Sequence, residues 1–596
     1  MKYLFYIIIC LFCLSVQAQT KVEPTWESLQ QRGYPQWFSD AKLGIFIHWG
    51  LTSIPAWAGK EQYSEWFLLG IIRGEAGRTN FMERVYGKDF KYEDFNNLFK
   101  AELFDPDEWA DIFERSGAKY ALLVTKHHDG YCLWNSKYAP NWNTVTGGPK
   151  RDIVGELTKS VRDKGLKMGF YYSLAEWNNP LHRWYTDPDD SISRYVDQHM
   201  IPQFKELVEA YKPSLIFTDG EWSNSAKQWH AAELISWYYN LVGDEAIVND
   251  RWGHGSNHGY RTPEYSAGIT QTDRPWAECR GLGRSFGLNR NEPIENYLTN
   301  DELIRHFAKL VASGGGMTLN VGPAADGKIP LLQQERLLAL GDWLKVNGEA
   351  IYGSRPYKKF TEEKEVEVKR IDPEINFNWV RNSPDRRISV DRFNAEWTGF
   401  IQPEYSETYT FEARSDDGIR VWVDGKLLID RWQKFVEGSE SNVEEHAENK
   451  SVTNTVKMQA GKRYVIKVEY FEDVLNASVS LFWQSESQRR EVIPTRAFYT
   501  SGDKSAQQGL NAVYRSMMPY LCYTTNNDAL YAIALEWTTD KLELDVERPV
   551  ANTKITLIGR DGNLPWEYKN NRLIVDLSGV KFWEMPCKSA WVLKIK

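Results

Sequence analysis

A repeated order of predicted elements between Lys42 and about Tyr352 restricts the fold of this chain more than any other feature. Each repeat consists of an amphipathic helix, a Gly or Pro stop, a short apolar strand and a polar cluster, as in the helix over 105–116 and the strand over 120–125. Strands that alternate with helices favour parallel βα units, and polar clusters at strand ends favour a barrel with its site on that face. We therefore predict a (β/α)8-like barrel over residues 20–356, complete or irregular.

The periodicity changes after the barrel, and the chain becomes rich in alternating strand patterns. At 596 residues the chain is too long for one ordinary domain of ~150 residues. We predict an inserted β-barrel or β-sandwich module over residues 370–500 and a C-terminal antiparallel β-sandwich over 505–596. The charged stretch 357–369 is either a linker or part of that sandwich. The predicted fold class is thus multidomain, α/β plus all-β.

Residues 1–18 have the pattern of a signal peptide, with a Lys near the start, an apolar run and a small-residue cleavage site. This pattern predicts export, to the periplasm or outside the cell. A surface lipoprotein is less favoured, because no small residues directly precede Cys10 or Cys13. No later apolar run reaches about twenty residues, so no membrane span is predicted. The net charge of −9 excludes a polyanionic partner such as nucleic acid, and the oligomeric state is left open.

Asp219 follows the apolar residues 215–217 and precedes Gly220, so it lies at the end of a short buried strand. A carboxylate at that position costs free energy unless chemistry or a partner requires it, although a turn-forming Asp-Gly is the simpler alternative. Other polar or aromatic candidates lie at or near strand ends: His48, Glu65, Trp66, His127, His128, Tyr172, Arg251 and Glu264.

Two of these candidates leave alternatives open. Only one of Tyr171 and Tyr172 can face a pocket, because neighbouring side chains on a strand point to opposite faces. The adjacent His127 and His128 would suit a metal site, but metal sites in barrels draw ligands from separated strands together with carboxylates. We therefore predict chemistry without a cofactor.

Several motifs occur in a fixed order along the barrel region, among them Gly44–Gly50 (GIFIHWG), Lys126–Gly130 (KHHDG) and Leu319–Pro323 (LNVGP). Together they resemble the α-L-fucosidases of glycoside hydrolase family 29, and the resemblance spans nearly the whole barrel. It implies that Asp219 is the nucleophile. It further implies that the acid/base residue is Glu264, with Glu278 as the second candidate.

The resemblance implies a retaining mechanism, in which one carboxylate attacks the anomeric carbon and the other protonates the leaving oxygen. Such a pair lies about 5–5.5 Å apart. Arg251 is placed to keep Asp219 ionised. The resemblance also implies that His48, Glu65, Trp66, His127, His128 and Tyr172 hold the fucose hydroxyls, and that Phe286 packs near the C6 methyl group.

The β-rich stretch around Ser415–Gly425 resembles the module named for anthrax protective antigen. In some sugar-binding members of that module, paired aspartates hold Ca²⁺, and Asp416 and Asp417 match that pattern. Turn aspartates that stabilise a hairpin are the alternative. Because the module interrupts the path from barrel to sandwich, we expect an insertion that lies over the barrel mouth and limits which glycans enter.

The leading prediction is an exported, retaining exo-α-L-fucosidase that hydrolyses terminal fucose from glycans. A related α-L-glycosidase such as an α-L-galactosidase is one alternative, since an apolar pocket rejects a single added hydroxyl weakly. A catalytically silent carbohydrate-binding protein is the other. Asp219, Arg251 and Glu264 argue against a binder, which has no need of a nucleophile and an acid.

Overall fold

The computed structural model describes residues 21–60, 62–265, 273–380, 382–432, 451–474 and 476–596. The predicted signal peptide over residues 1–18, with Cys10 and Cys13, lies outside the described residues. Within these ranges, none of the helices combines the length and apolar character that a membrane crossing requires.

A curled parallel sheet of seven strands forms the first domain, as the alternating pattern predicts. The strands pair in the order β5-β4-β3-β2-β1-β7-β6. Their side chains are almost all buried, as expected for strands covered on both faces. Their bounds are β1 (Leu43–Ile47), β2 (Tyr120–Lys126), β3 (Lys167–Ser173), β4 (Leu215–Asp219), β5 (Ile247–Val248), β6 (Ala277–Gly281) and β7 (Gly316–Val321).

The segment 260–265 lies between the two edge strands, β5 and β6, at the position of an eighth strand. It contacts one edge through a parallel bridge between Asn249 and Tyr260, and the other through a bridge between Glu264 and Cys279. These isolated bridges replace a continuous ladder, so the barrel closes irregularly. The fold class predicted from the sequence is confirmed.

Helices cover the outside of the sheet and begin where their caps predict. Asp105 caps helix α2 by accepting hydrogen bonds from the backbone N–H groups of Asp107 and Glu108. Thr299 and Glu302 form a capping box at the start of α6. The longer helices are α1 (Ala76–Tyr86), α2 (Pro106–Arg115), α3 (Ile153–Asp163), α4 (Ile201–Tyr211), α5 (Ala231–Val242), α6 (Asn300–Ala312) and α7 (Leu331–Asn347).

The remainder of the chain is antiparallel β-structure with its own apolar cores. The strands of the inserted module and its entry are β8 (Arg355–Asp372), β9 (Asn376–Val380), β10 (Phe393–Ile401), β11 (Thr408–Ser415), β12 (Gly418–Val423), β13 (Lys426–Arg431), β14 (Val452–Lys457), β15 (Tyr464–Glu472), β16 (Ala477–Gln484), β17 (Glu491–Val492) and β18 (Phe498–Tyr499). Those that follow are β19 (Leu510–Asn526), β20 (Ala529–Ala534), β21 (Lys541–Leu544), β22 (Ile555–Leu557), β23 (Trp566–Lys569), β24 (Arg572–Asp576) and β25 (Trp591–Ile595).

Two long strands, β8 and β19, pair antiparallel along most of their length and connect the two β-rich parts. One half of β19 also pairs with β10 of the inserted module, and the other half pairs with β20 of the C-terminal sandwich. The sequence predicts that the stretch 357–369 is either a linker or part of the sandwich. In the structure it is part of β8, a strand shared by the inserted module and the C-terminal sandwich.

Both β-rich parts contact the barrel. The C-terminal sandwich packs on α7, where the indole of Trp343 donates a hydrogen bond to the carbonyl of Ala590 at 2.8 Å. The inserted module reaches the barrel through Arg386, which forms an ion pair with Glu302 at 3.1 Å. Because Glu302 lies in the first turn of the helix that follows β6, this contact is on the barrel face where the parallel strands end.

Candidate active site

Strands β3 and β4 fix which side chains point into the barrel. Tyr171 and Asp219 face inward, and the Tyr171 hydroxyl donates a hydrogen bond to Asp219 Oδ2 at 2.9 Å. Tyr172 faces outward, where its hydroxyl donates to Gln203 Oε1 at 2.8 Å and its ring lies under Lys126 Nζ at 4.0 Å. The prediction that Tyr172 holds the sugar is therefore wrong. Side chains alternate along the strand, and Tyr171 takes the inward position.

Asp219 is the last residue of β4, and three neighbouring side chains contact its carboxylate. Besides Tyr171, these are Arg251 Nη1, 3.2 Å from Oδ1, and His128 Nε2, 3.5 Å from Oδ2. Burial alone would raise the pKa of the Asp219 carboxyl. The hydrogen bond with His128 and the charge of Arg251 outweigh burial and lower this pKa well below its usual range. Asp219 is therefore an anion at any physiological pH, as a nucleophile requires.

Arg251, in the segment after β5, bridges the two predicted catalytic carboxylates. Its Nη1 lies 3.2 Å from Asp219 and its Nη2 lies 3.2 Å from Glu264 Oε2. The hydroxyl and the carbonyl of Thr262 accept two further hydrogen bonds from the guanidinium and fix its plane. The structure thus brings together the three residues on which the sequence prediction of catalysis depends.

Glu264 lies in the irregular segment that closes the barrel and has a second partner that the sequence did not suggest. The hydroxyl of Tyr63 donates a hydrogen bond to Glu264 Oε1 at 2.6 Å. With Arg251 on the other oxygen, both carboxylate oxygens of Glu264 are oriented, and its side chain remains 23% exposed. A carboxyl group held in this way, with access to solvent, is suited to exchange protons with a leaving group and with water.

Glu65 and His48 lie deep in the barrel. The backbone N–H of Gly287 donates to Glu65 Oε2 at 2.8 Å, and burial raises the pKa of the Glu65 carboxyl to about 7. His48 Nδ1 is 2.6 Å from Asn320 Oδ1, and burial lowers the pKa of the His48 ring to about 4. His48 is therefore neutral at physiological pH and can exchange hydrogen bonds with an uncharged ligand.

Aromatic rings complete this inner wall. Phe286 packs on His48 with ring centres 4.9 Å apart, and Trp66 lies 5.7 Å from Trp222. His127 is half-buried, and desolvation lowers the pKa of its ring well below the usual value. Its Nδ1 has no hydrogen-bond partner among the described residues. A polar ligand in the barrel could supply one.

These side chains surround one pocket, which encloses about 480 Å³ of space including the solvent at its mouth and opens on the strand-end face. Its lining includes most of the predicted site residues together with side chains that the sequence analysis did not select. The latter are Phe46, Tyr63, Tyr171, Phe217, Trp222 and Cys279. A pocket with three carboxyl groups, one guanidinium and several aromatic rings is suited to hold one pyranose ring for hydrolysis.

Glu278, the second candidate for the acid/base, does not reach this cavity. It is fully buried on the outer face of β6, where its carboxylate contacts His306 of helix α6. The next residue, Cys279, faces inward and accepts a contact from Arg251. Alternation along β6 therefore separates Glu278 from the site.

Asp416 and Asp417 lie far from the barrel pocket, at the corner between β11 and β12. Asp417 adopts φ of 58°, and its Oδ2 accepts a hydrogen bond from the backbone N–H of Asp473 at 2.7 Å. Both aspartates also interact electrostatically with Arg431. The described residues contain no group of three or more His, Cys, Asp or Glu side chains arranged to hold a metal. Calcium binding by Asp416 and Asp417 therefore stays a prediction.

Comparisons with known proteins agree on one family. The sequence profile "Alpha-L-fucosidase" matches residues 9–349, "PA14 domain" matches 354–496, and "Alpha-L-fucosidase C-terminal domain" matches 515–596. The alpha-L-fucosidase of Dictyostelium discoideum is 42% identical over 59% of this chain and 78% of its own length. The tissue alpha-L-fucosidase of Homo sapiens is 40% identical over 57% and 74%.

A solved structure supports the same assignment. The Thermotoga maritima alpha-fucosidase in complex with fucose superposes with a TM-score of 0.62 at 26% identity, and the alignment covers 96% of this chain and 100% of that chain. The chain therefore belongs to the α-L-fucosidases, glycoside hydrolase family 29, and is an α-L-fucosidase whose barrel is followed by a PA14 domain and a fucosidase C-terminal domain.

Proposed function

We propose that this fucosidase is an exported, retaining exo-enzyme that removes terminal α-L-fucose from glycans by double displacement. The observation that carries the proposal is the bridge of Arg251 between Asp219 and Glu264. A shared cation lets one carboxylate stay ionised while the other exchanges a proton beside it. Export is proposed from the pattern of residues 1–18 alone.

In the first step, Asp219 Oδ attacks the anomeric carbon while the bond from that carbon to the leaving oxygen breaks. Glu264 donates its proton to that oxygen. In the second step, ionised Glu264 takes a proton from water, the water oxygen attacks the anomeric carbon, and the bond to Asp219 breaks. Two inversions give net retention, and Glu264 ends the cycle protonated because the proton that it gives to the leaving oxygen is replaced by one from water.

The proposal is tested by hydrolysis of an aryl α-L-fucoside by wild type, Asp219→Ala and Glu264→Ala, with and without azide. We expect Asp219→Ala to lose about 10⁴-fold or more in kcat, since it lacks the nucleophile. Azide should restore turnover and give β-fucosyl azide. Glu264→Ala should keep turnover of an activated aryl leaving group, and azide should give the α-product.

Glu278→Gln is the matched control, because Glu278 is a buried carboxyl of the same barrel that lies outside the pocket. It should keep wild-type kcat/KM within about twofold, as expected for a residue without substrate contact. Full activity of Glu264→Ala together with loss in Glu278→Gln would contradict the assignment. Products of inverted configuration from wild type would contradict the retaining mechanism.

A further inference from the structure

A series of aromatic side chains connects the pocket lining with the surface of the protein. Trp222 lines the pocket, and the ring of Trp184 meets it edge to face with centres 5.9 Å apart. Tyr185, the next residue, is 39% exposed. We call Trp222, Trp184 and Tyr185 the aromatic ledge. Large aromatic side chains that remain accessible beside an active site are a recognised form of ligand surface.

The ledge is held by packing underneath it. Trp184 stacks on the fully buried Trp229, with an interplanar angle of 11° and centres 6.5 Å apart. The loop that carries it, residues 174–192, is attached to the barrel at Trp177, whose backbone N–H donates to the carbonyl of His128 at 2.8 Å. The positions of Trp184 and Tyr185 are therefore coupled to the same wall that contacts Asp219.

A guanidinium borders the outer end of the ledge. Arg73, which follows the helical turn after Trp66, lies over the Tyr185 ring with its Cζ 4.8 Å from the ring centre. Its Nη2 also donates to the Tyr185 hydroxyl at 3.3 Å. This contact joins two loops of the barrel face across the ledge. A guanidinium has five N–H donors, so the bond to Tyr185 leaves others to face hydroxyl groups.

The shape of the pocket decides what reaches this surface. The carboxylates lie inside a cavity closed by the barrel, so a fucose ring with its anomeric carbon between them directs the leaving group out through the mouth. Aromatic faces stack on the apolar C–H faces of pyranose rings, and guanidinium donors bond to sugar hydroxyls. We propose that the aromatic ledge binds the pyranose ring to which the fucose is attached. This inference rests on the proposed exo-fucosidase function and names the side chains that hold the sugar on the leaving-group side of the bond that is cleaved.

The test compares two substrates that differ only in the leaving group. α-L-Fucosyl fluoride carries no sugar beyond fucose, whereas a fucosylated lactose trisaccharide presents a pyranose at the mouth. For Trp184→Ala and Tyr185→Ala, we expect kcat/KM on the trisaccharide to fall about three- to tenfold, the range for loss of one stacked ring. On the fluoride, kcat/KM should stay within about twofold.

Two control variants separate ring stacking from other effects. Tyr185→Phe keeps the ring and loses only the hydroxyl, so it should keep more trisaccharide activity than Tyr185→Ala. Trp583→Ala removes an aromatic side chain that is 81% exposed on the C-terminal sandwich, and it should behave as wild type on both substrates. Tyr185→Ala alters an exposed position, so it carries the test by itself if Trp184→Ala does not fold.

Each other outcome overturns the inference in a recognisable way. An equal loss on both substrates would mean that the changes deform the pocket rather than remove a sugar contact. Unchanged trisaccharide hydrolysis in both alanine variants would mean that the ledge does not bind the leaving sugar. A wild type that hydrolyses neither substrate would overturn the proposed function itself, and the inference with it.

Discussion

The barrel and the inserted PA14 domain each contain a group of partly or fully buried acids near an arginine, which is Arg251 in the barrel and Arg431 in the PA14 domain. The acids of the two groups differ in the direction of their pKa shifts. In the barrel, Arg251 bonds directly to Asp219 and Glu264, and the pKa of Asp219 is lowered. In the PA14 domain, Glu472 is 2% exposed, and its Oε1 has no hydrogen-bond partner among the described residues. Burial, followed by the charges of the nearby aspartates, raises the pKa of the Glu472 carboxyl to about 10.

This difference shows that burial and acidic composition do not by themselves produce a reactive carboxylate. Desolvation favours the protonated form in both places, and only direct bonds from cations or hydroxyl groups reverse it. Asp219 has such bonds from His128, Arg251 and Tyr171, whereas burial and the nearby aspartates outweigh the bond that Glu472 accepts from the Tyr470 hydroxyl, and Glu472 keeps its proton near neutral pH. The sequence contains acids in both regions, but among the residues that the structure describes, the contacts that keep a carboxylate ionised surround Asp219 and not Glu472.

The largest effect should follow from breaking the bridge in the barrel. We expect Arg251→Met to lower kcat/KM for an aryl α-L-fucoside by about 10³-fold, the scale for removal of one preorganised electrostatic partner. It should also lower the free energy of unfolding, because two partly buried carboxylates lose the cation that lies between them. Arg251→Lys keeps the charge but cannot bond to both carboxylates with a planar guanidinium. Its kcat/KM should therefore lie between those of wild type and Arg251→Met. A loss in Arg251→Met of less than about tenfold would show that the bridge is not needed.

A smaller effect should follow from removing the hydroxyl that orients Glu264. Tyr63→Phe keeps the ring contacts and deletes the donor to Glu264 Oε1, so we expect kcat to fall about tenfold, the scale of one hydrogen bond to a charged group. The bond stabilises the carboxylate that Glu264 becomes when it protonates the leaving oxygen, so the first step should slow most. The loss should therefore be larger on a fucosylated lactose trisaccharide, whose leaving sugar needs the proton, than on an aryl α-L-fucoside with an activated leaving group. Equal losses on the two substrates would contradict this role.

The smallest effect concerns stability in the PA14 domain. A raised folded-state pKa means that the stabilising contribution of Glu472 is fully present below about pH 4.5 and is lost as the pH rises towards 10. We expect the melting temperature of wild type to decrease between pH 5 and pH 9 more than that of Glu472→Gln. The variant should be the more stable protein at pH 9 by about 3 °C. Identical pH dependence of the two melting temperatures would show that Glu472 is paired in solution.

Most of the fold follows from periodicity, and the part that does not has a physical reason. The helix–strand repeats predict the parallel strands, and the Asp424-Gly425 turn predicts the hairpin between β12 and β13, where both residues take positive φ. The closing segment 260–265 contains a proline and makes isolated bridges only. It therefore has neither the composition nor the ladder of a strand, and nothing in the sequence shows that it completes the ring.

Site residues at the end of a strand were predictable from the sequence. Site residues were harder to predict where their place depends on which face of a strand the side chain takes, or on a contact between residues far apart in the sequence. Asp219 follows directly from its strand, but the choice between Tyr171 and Tyr172 requires the register of β3 against β4, in which Tyr171 pairs with Phe217. The contact of Tyr63 with Glu264 joins residues 201 positions apart. No local pattern records such a contact. Trp222 lies three residues beyond Asp219, yet only the folded turn shows that its ring lines the pocket.

The paired strands β8 and β19 have a consequence for how this architecture can change. Asp372 and Leu510, the residues at which the chain leaves and rejoins the shared ribbon, are partners in the ladder. The PA14 domain is therefore inserted between two residues that are already neighbours in space. A tight turn between them would reconnect the chain without moving the barrel or the sandwich. The β8–β19 pair is thus a junction at which a whole domain can be gained, lost or exchanged while the fold of the catalytic barrel stays the same.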